Sequence, residues 1–167
     1  MGSNSKLFLL LGLGGSTLVL DLWSKAVVSR NLFLGQSFDV IDGMLRITYI
    51  QNKGAIFGLS IGDITGTVVL VVSLLAVVLL SIYYFTSPLD LKWYGVGLVL
   101  ILSGAAGNLY DRVTLGGVRD FLDIGFGTTR WPVFNVADLA VTAGAVLLVI
   151  ELSRRNDTVE KNGTSVE

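Results

Sequence analysis

The chain of 167 residues contains no cysteine and no histidine. Those two absences remove disulfides, thiol nucleophiles, Ser-His and Cys-His triads and the common metal ligands. Any chemistry has to come from Asp, Glu, Lys, Ser, Thr, Tyr or the backbone, and no metal or other cofactor is expected. The missing cysteines say nothing about compartment in a chain this apolar. Charge is scarce as well. Charged residues make up 15%, against about 25% in a soluble domain, and the net charge of −1 offers nothing to nucleic acid. In their place stand 52% hydrophobic residues and a mean hydropathy of +0.71. This is the composition of a membrane protein.

The apolar sequence falls into four runs. Lys6 followed by Leu7–Leu20 has the look of a signal peptide, but Asp21-Leu22-Trp23-Ser24-Lys25 follows with no small-x-small cleavage site. Continued through Val28, the segment reaches about 22 residues, enough to span, and it reads as a retained first span. Ile64–Thr86 is apolar without a charge and is the clearest transmembrane helix. Pro88 stops it. Trp93–Val113 is the third span, with Ser103-Gly104-Ala105-Ala106-Gly107 as a small-residue face for close helix packing. Phe134–Leu152 is the fourth, and 153–167 reads as a polar, disordered tail. Trp23, Trp93 and Trp131 fall at the predicted span ends, as interfacial anchors do. Between the first two spans, Phe38–Ile41 and Met44–Ile50 flank Asp42-Gly43, which suits a tight hairpin turn. Leu45, Ile47 and Tyr49 alternate with Arg46 and Thr48, as in a half-buried sheet. Gln51–Gly58 reads as a turn, or as a backbone platform near a ligand. Residues 114–133 read as a second external loop. The expectation is one domain over 1–167: an all-α membrane protein of four transmembrane helices with a small β-hairpin or sheet.

With four alternating spans, the first and third end on the side where the fourth begins. Asp21 and Lys25 close the first, Asn108, Asp111 and Arg112 close the third, and Asn135 and Asp138 open the fourth. Every unusual polar residue therefore converges on one membrane face. Between Gly107 and Asp138 the chain collects four aspartates, three arginines and two asparagines. Ionisable groups at the edge of hydrocarbon are costly and point to function, although loop charges can also simply solvate one another. Counted from Phe134, Asp138 lies roughly 6 Å inside its helix at 1.5 Å per residue, a shallow interfacial position. The positive-inside count is equivocal, with five Lys and Arg on the side of the termini and seven on the other.

Without histidine, the economical catalyst is a pair of carboxylates sharing a proton: one activates water while its protonated partner polarises a carbonyl. Asp111 adjoins Arg112 and Asp21 faces Lys25 at i, i+4, so both read as ion-paired structure. Asp138 has no basic residue within a helical turn, and Asp120 or Asp123 could reach it. Ser24-Lys25 suggests a Ser-Lys hydrolase, but adjacent helical residues point about 100° apart. Asn135, at i, i+3 from Asp138, can hold substrate or a carboxylate, or can cap the helix. A channel or transporter with polar span ends, and a non-catalytic assembly protein locked by its charges, are the rival readings. The first calls for polar residues along the spans, and Ile64–Thr86 and Trp93–Ala106 lack charge.

At these residues the chain resembles the bacterial signal peptidase II family. Gly107-Asn108-x-x-Asp111-Arg112, Val118-x-Asp120-Phe121-x-Asp123 and Phe134-Asn135-x-Ala137-Asp138 match its signature blocks in order and spacing. Asp21-x-x-Ser24-Lys25 and Asn52-x-Gly54-Ala55-x-Phe57 match more weakly. Leu22 stands where the family often has Gln, and Ile56 where a small residue is usual. The resemblance implies an aspartic endopeptidase of the bacterial cytoplasmic membrane, with both termini cytoplasmic and the site on the extracytoplasmic side. It would cut prolipoproteins just before a diacylglyceryl-modified cysteine. Asp120 and Asp138 would be the dyad, and Asn52, Gly54, Asn108, Arg112 and Asn135 would line the pocket. Asp21, Lys25 and Asp111 would support it. The implied partners are that lipid-modified substrate and membrane lipid, with no nucleic acid, and the protein is expected to be a monomer.

Overall fold

A computed structural model describes residues 2–53, 62–87 and 92–163. Gly54, Ala55, Ile56, Phe57, Gly58 and Pro88, named in the sequence reading, lie outside them. Four helical stretches among the described residues are long and apolar enough to cross a membrane. The first runs from Ser3 to Asn31 and is built of α1 (Ser3–Leu9), a π-helical turn at Leu10–Gly14 and α2 (Gly15–Asn31). It overruns the expected 7–28 because its polar flanks contain no helix breaker. A one-residue insertion of the π type rotates everything downstream by about 100°, and downstream it is Asp21 and Lys25 that end up buried. Trp23 consequently lies within α2 and not at its end.

The remaining helices are α3 (Gly62–Thr86), α4 (Lys92–Leu115) and α5 (Val136–Gly163). The apolar part of α5 ends at Arg154, and the helix continues to Gly163 where a disordered tail was expected. Nothing between Ser153 and Asn162 breaks a helix, since that stretch holds neither Pro nor Gly. Gly116, at φ +71°, ends α4 in the left-handed region that glycine enters without strain.

The centre of the bundle is α4, which packs on α2, α3 and α5. Its seam with α5 is made of small residues. A Cβ on Gly144 would meet Gly97 O at 2.5 Å, and one on Gly104 would collide with Ala137 O. Tyr84, Leu98, Val99 and Leu102 form the buried apolar core. At the end of the bundle away from Asp21, Asn108 and Asp138, buried Lys6 closes α3. Its Nζ donates to Tyr84 O (2.9 Å), Phe85 O (3.3 Å) and Ser87 O (2.6 Å), and Tyr84 OH donates back to Lys6 O (2.8 Å). A cation on the last carbonyls of a helix meets groups with no intrahelical partner and the negative end of the dipole.

The expected hairpin is present but is half of a larger sheet. Strands β1 (Ser37–Ile41), β2 (Leu45–Asn52), β3 (Val118–Phe126) and β4 (Thr129–Arg130) form one antiparallel sheet in the order β1-β2-β3-β4. Ile41 pairs with Leu45, so the turn is Asp42-Gly43-Met44, with Gly43 at φ +69°. Residues 114–133 are thus mostly strand. Asp120 and Asp123 sit at buried positions, which hid the alternation that marks a strand. The strand β2 carries an irregularity between Ile47 and Ile50, opposite Leu122 and Asp120. Bulges of this kind re-aim side chains beside functional sites.

Candidate active site

Two elements deliver the aspartates. Asp120 lies on β3, and Asp138 is the third residue of α5, nearer the helix start than its distance from Phe134 suggested. They are held together by the segment between them. Phe121 and Leu122 N–H donate to Phe134 O (2.9 and 2.7 Å), and Phe134 N–H donates to Leu122 O (3.0 Å). The strand therefore ties down the residue just before the helix cap.

That cap is Asn135. Its Oδ1 accepts the N–H of Asp138 (3.0 Å), while Asp138 Oδ2 accepts the N–H of Asn135 (3.1 Å). This is a reciprocal capping box with aspartate in the place of the usual glutamate. The same Asn135 side chain turns its Nδ2 to Asp120 Oδ1 (2.6 Å) and Asn108 Oδ1 (3.0 Å). Cap and bridge, weighed as alternatives from the sequence, are one residue's two functions. Asn108 Nδ2 completes the ring on Asp138 Oδ1 (2.8 Å), and Asn52 at the end of β2 also hydrogen-bonds Asp120.

Asp120 is 2% exposed, and Asp138 is half-buried. Burial, then the proximity of Asp138, pushes the Asp120 carboxyl up to about 6 against hydrogen bonds from Asn135 and Asn52. Asp123 differs. Three residues apart on a strand, the two acids leave opposite faces. Burial would raise Asp123, but hydrogen bonds from Arg130 and Thr48 outweigh it and hold its carboxyl below the usual range. Its partners are Arg130 Nε (2.5 Å) and Thr48 Oγ1 (2.9 Å). Asp123 belongs to the sheet, and Asp120 is the acid that reaches the cap of α5.

Beneath the pair lies a buried ionic layer. Lys25 Nζ donates to Asp21 Oδ2 (2.7 Å) and Asn108 Oδ1 (2.9 Å) and stands 3.6 Å from Asp111. Asp21 Oδ1 accepts the N–H of Ala137 (2.9 Å), fixing the first turn of α5 to the first span. A Cβ on Gly107 would collide with Asp21 Oδ2, so any side chain there would displace the buried Asp21 carboxylate. The partner of Asp111 is not its neighbour Arg112, as adjacency suggested. It is Arg119, by a fork of Nη2 to Oδ1 (2.6 Å) and Nε to Oδ2 (3.1 Å). Neighbours on a helix diverge, whereas the strand that follows folds back across the end of α4. Sequence reasoning missed Arg119 because no local spacing links positions eight apart across a turn. Arg112 is half-buried, within electrostatic range of Asp138, Asp120 and Asp111. Ser24 Oγ donates to Asp21 O (2.9 Å) while Lys25 turns to the carboxylates, which leaves no Ser-Lys pair.

The charges of this layer count evenly. Asp21 and Asp111 are matched by Lys25 and Arg119. Arg112 then faces Asp120 and Asp138, and a single proton on those two makes the whole neutral. In surroundings this dry, neutrality is the cheapest state.

Residues 14–154 match the model of the signal peptidase (SPase) II family. The chain belongs to that family, and it is a peptidase. It is 44% identical over 139 residues to the lipoprotein signal peptidase of Geobacter metallireducens, covering 83% of this chain and 86% of that protein. To the lipoprotein signal peptidase of Syntrophus aciditrophicus it is 38% identical over 152 residues, 89% and 94% of the two. A solved bacterial membrane enzyme superposes with a TM-score of 0.78 at 29% identity, over 93% of this chain and 91% of that one.

Proposed function

We propose that Asp120 and Asp138 are the catalytic pair with which this signal peptidase II family member removes signal peptides from prolipoproteins. The observation that carries the assignment is the bridge made by Asn135, whose amide holds Asp120 while its backbone N–H holds Asp138. Two carboxylates so placed cannot both ionise cheaply and share one proton. The ionised one takes a proton from water, whose oxygen attacks the scissile carbonyl carbon. The protonated one gives its proton to the carbonyl oxygen. Collapse of the tetrahedral intermediate then expels the amine, which leaves with a proton from the pair.

Around that pair, Asn52, Asn108, Arg112 and Asn135 line the pocket or bind substrate backbone, and Asp21, Lys25 and Asp111 hold its floor. The cut falls just before a diacylglyceryl-modified cysteine, in the bacterial cytoplasmic membrane, by a monomer whose site faces the extracytoplasmic side. Asp138 lies in the first turn of a spanning helix, a depth at which a peptide carbonyl can be held while its acyl chains stay in the bilayer. Each buried CH₂ contributes about 0.8 kcal/mol, so lipid is part of recognition and the unlipidated precursor is cut poorly.

The test is cleavage of a lipid-modified prolipoprotein by purified protein. Asp120→Asn and Asp138→Asn are each expected to lose turnover by orders of magnitude while still inserting, and the double variant to be little worse than either. Asp123→Asn is expected to cost much less. Near-normal turnover by Asp138→Asn together with its loss in Asp123→Asn would give the catalytic role to Asp123.

A further inference from the structure

An asparagine amide can be turned over with almost no change of shape, so which end it presents to an acid depends on what fixes it. Here groups that can only donate orient both amides. The N–H of Asp138 donates to Asn135 Oδ1, which leaves Asn135 Nδ2 for Asp120. The ammonium of Lys25 and the Nδ2 of Asn135 donate to Asn108 Oδ1 (2.9 and 3.0 Å), which leaves Asn108 Nδ2 for Asp138. The first constraint is backbone. The second includes a fully buried side chain from the first span, 83 positions away in sequence.

We propose that Lys25 is a positioning residue for the aspartate pair: as the charged one of the two donors on Asn108 Oδ1, beside Asn135 Nδ2, it keeps an N–H, never a carbonyl, against Asp138. With N–H donors on both carboxylate oxygens, Asp138 is the ionised member that takes the proton from water, and Asp120 carries the proton given to the carbonyl. A proton on either oxygen of Asp138 would face a donor already in place. The charged groups around Asp138 are Asp120 and Arg119 from β3, Arg112 and Asp111 from α4, and Asp21 and Lys25 from α2. The proposal rests on the reading of Asp120 and Asp138 as the catalytic pair.

Removing Lys25 alone would strand Asp21 in the interior, so the test removes both charges together. The full chain in lipid nanodiscs, with Lys25→Met and Asp21→Asn combined, keeps the local charge unchanged and keeps an oxygen for the Ala137 N–H. Its cleavage of a lipid-modified prolipoprotein is followed against pH. The expected result is a loss of about tenfold in kcat with KM little changed. The acid limb of kcat/KM should rise by about one pH unit, the size of one charge-assisted hydrogen bond. Asn108→Ala alone, with Lys25 and Asp21 untouched, is expected to move the limb by the same amount. Joining all three substitutions should add nothing further. An unmoved limb in Asn108→Ala overturns the proposal whether or not the charge-pair variant folds. An unmoved limb in a charge-pair variant with wild-type Tm, or effects that add, makes Lys25 a structural residue only. Near-normal turnover by Asp120→Asn or Asp138→Asn would instead overturn the catalytic pair itself, a separate outcome.

Discussion

Asp120 shows what it costs to keep an acid in the dark. Its folded carboxyl, at about 6, stands roughly two pH units above its ordinary 3.8. At about 1.4 kcal/mol per unit, ionising it in the folded protein opposes folding by about 3 kcal/mol at neutral pH. The sign follows from the direction of the shift. The penalty is absent below pH 3.8, grows as pH rises toward 6 and is constant above it. Asp120→Asn is therefore expected to raise Tm in detergent at pH 8 and to bring little gain at pH 4, measured as the difference from the unsubstituted protein. As a member of the proposed catalytic pair, the same residue would set the alkaline side of catalysis. The shared proton leaves as pH climbs through about 6, so kcat/KM on a lipid-modified substrate should fall from there upward, and it should fall again in acid as the second carboxylate is protonated. A kcat/KM flat from pH 5 to 9 would remove the proton from the mechanism.

At the scale of elements, the small-residue seam between α4 and α5 carries the aim of the site. A methyl on Gly104 would press on Ala137 O, one residue before Asp138, and α5 would have to move. Gly104→Ala is expected to cost about 1–3 kcal/mol in stability and to lower turnover at least tenfold in the protein that remains folded, checked by thermal shift and kcat on the same sample. Legibility from sequence varied with how local each signal was. The four spans could be read because long apolar runs announce themselves, and the β1–β2 hairpin because Asp42-Gly43 sits between alternating residues. The pairing of Asp21 with Lys25 could be read from i, i+4 spacing. By contrast, β3 stayed hidden because Arg119, Asp120 and Asp123 occupy strand positions that ordinarily carry apolar side chains. The fork from Arg119 to Asp111 and the Ala137 N–H on Asp21 were invisible too. One crosses a turn, and the other uses a backbone donor that every residue but proline possesses.

At the scale of the whole molecule, orientation is checked by labelling from outside the cell. If both termini are cytoplasmic, cysteines introduced at Ser37 and Ser153 of intact cells should differ, with the first labelled by an impermeant thiol reagent and the second protected. Labelling at Ser153 alone would invert the molecule. The bond from Ala137 N–H to Asp21 joins the last span to the first, and α5 brings Asn135 and Asp138 with it. The order of synthesis thus becomes a safety catch. With Asp120 and Asp138 as the proposed pair, a chain still on the ribosome would hold one acid and no bridge, and would be unable to cut anything. On that assignment, only insertion of the final helix would arm it. A chain ending at Arg130 should insert and show no cleavage, and a separately expressed fragment of residues 131–167 should restore it. Cleavage by the truncated chain alone would mean that an earlier part of the sequence carries the chemistry.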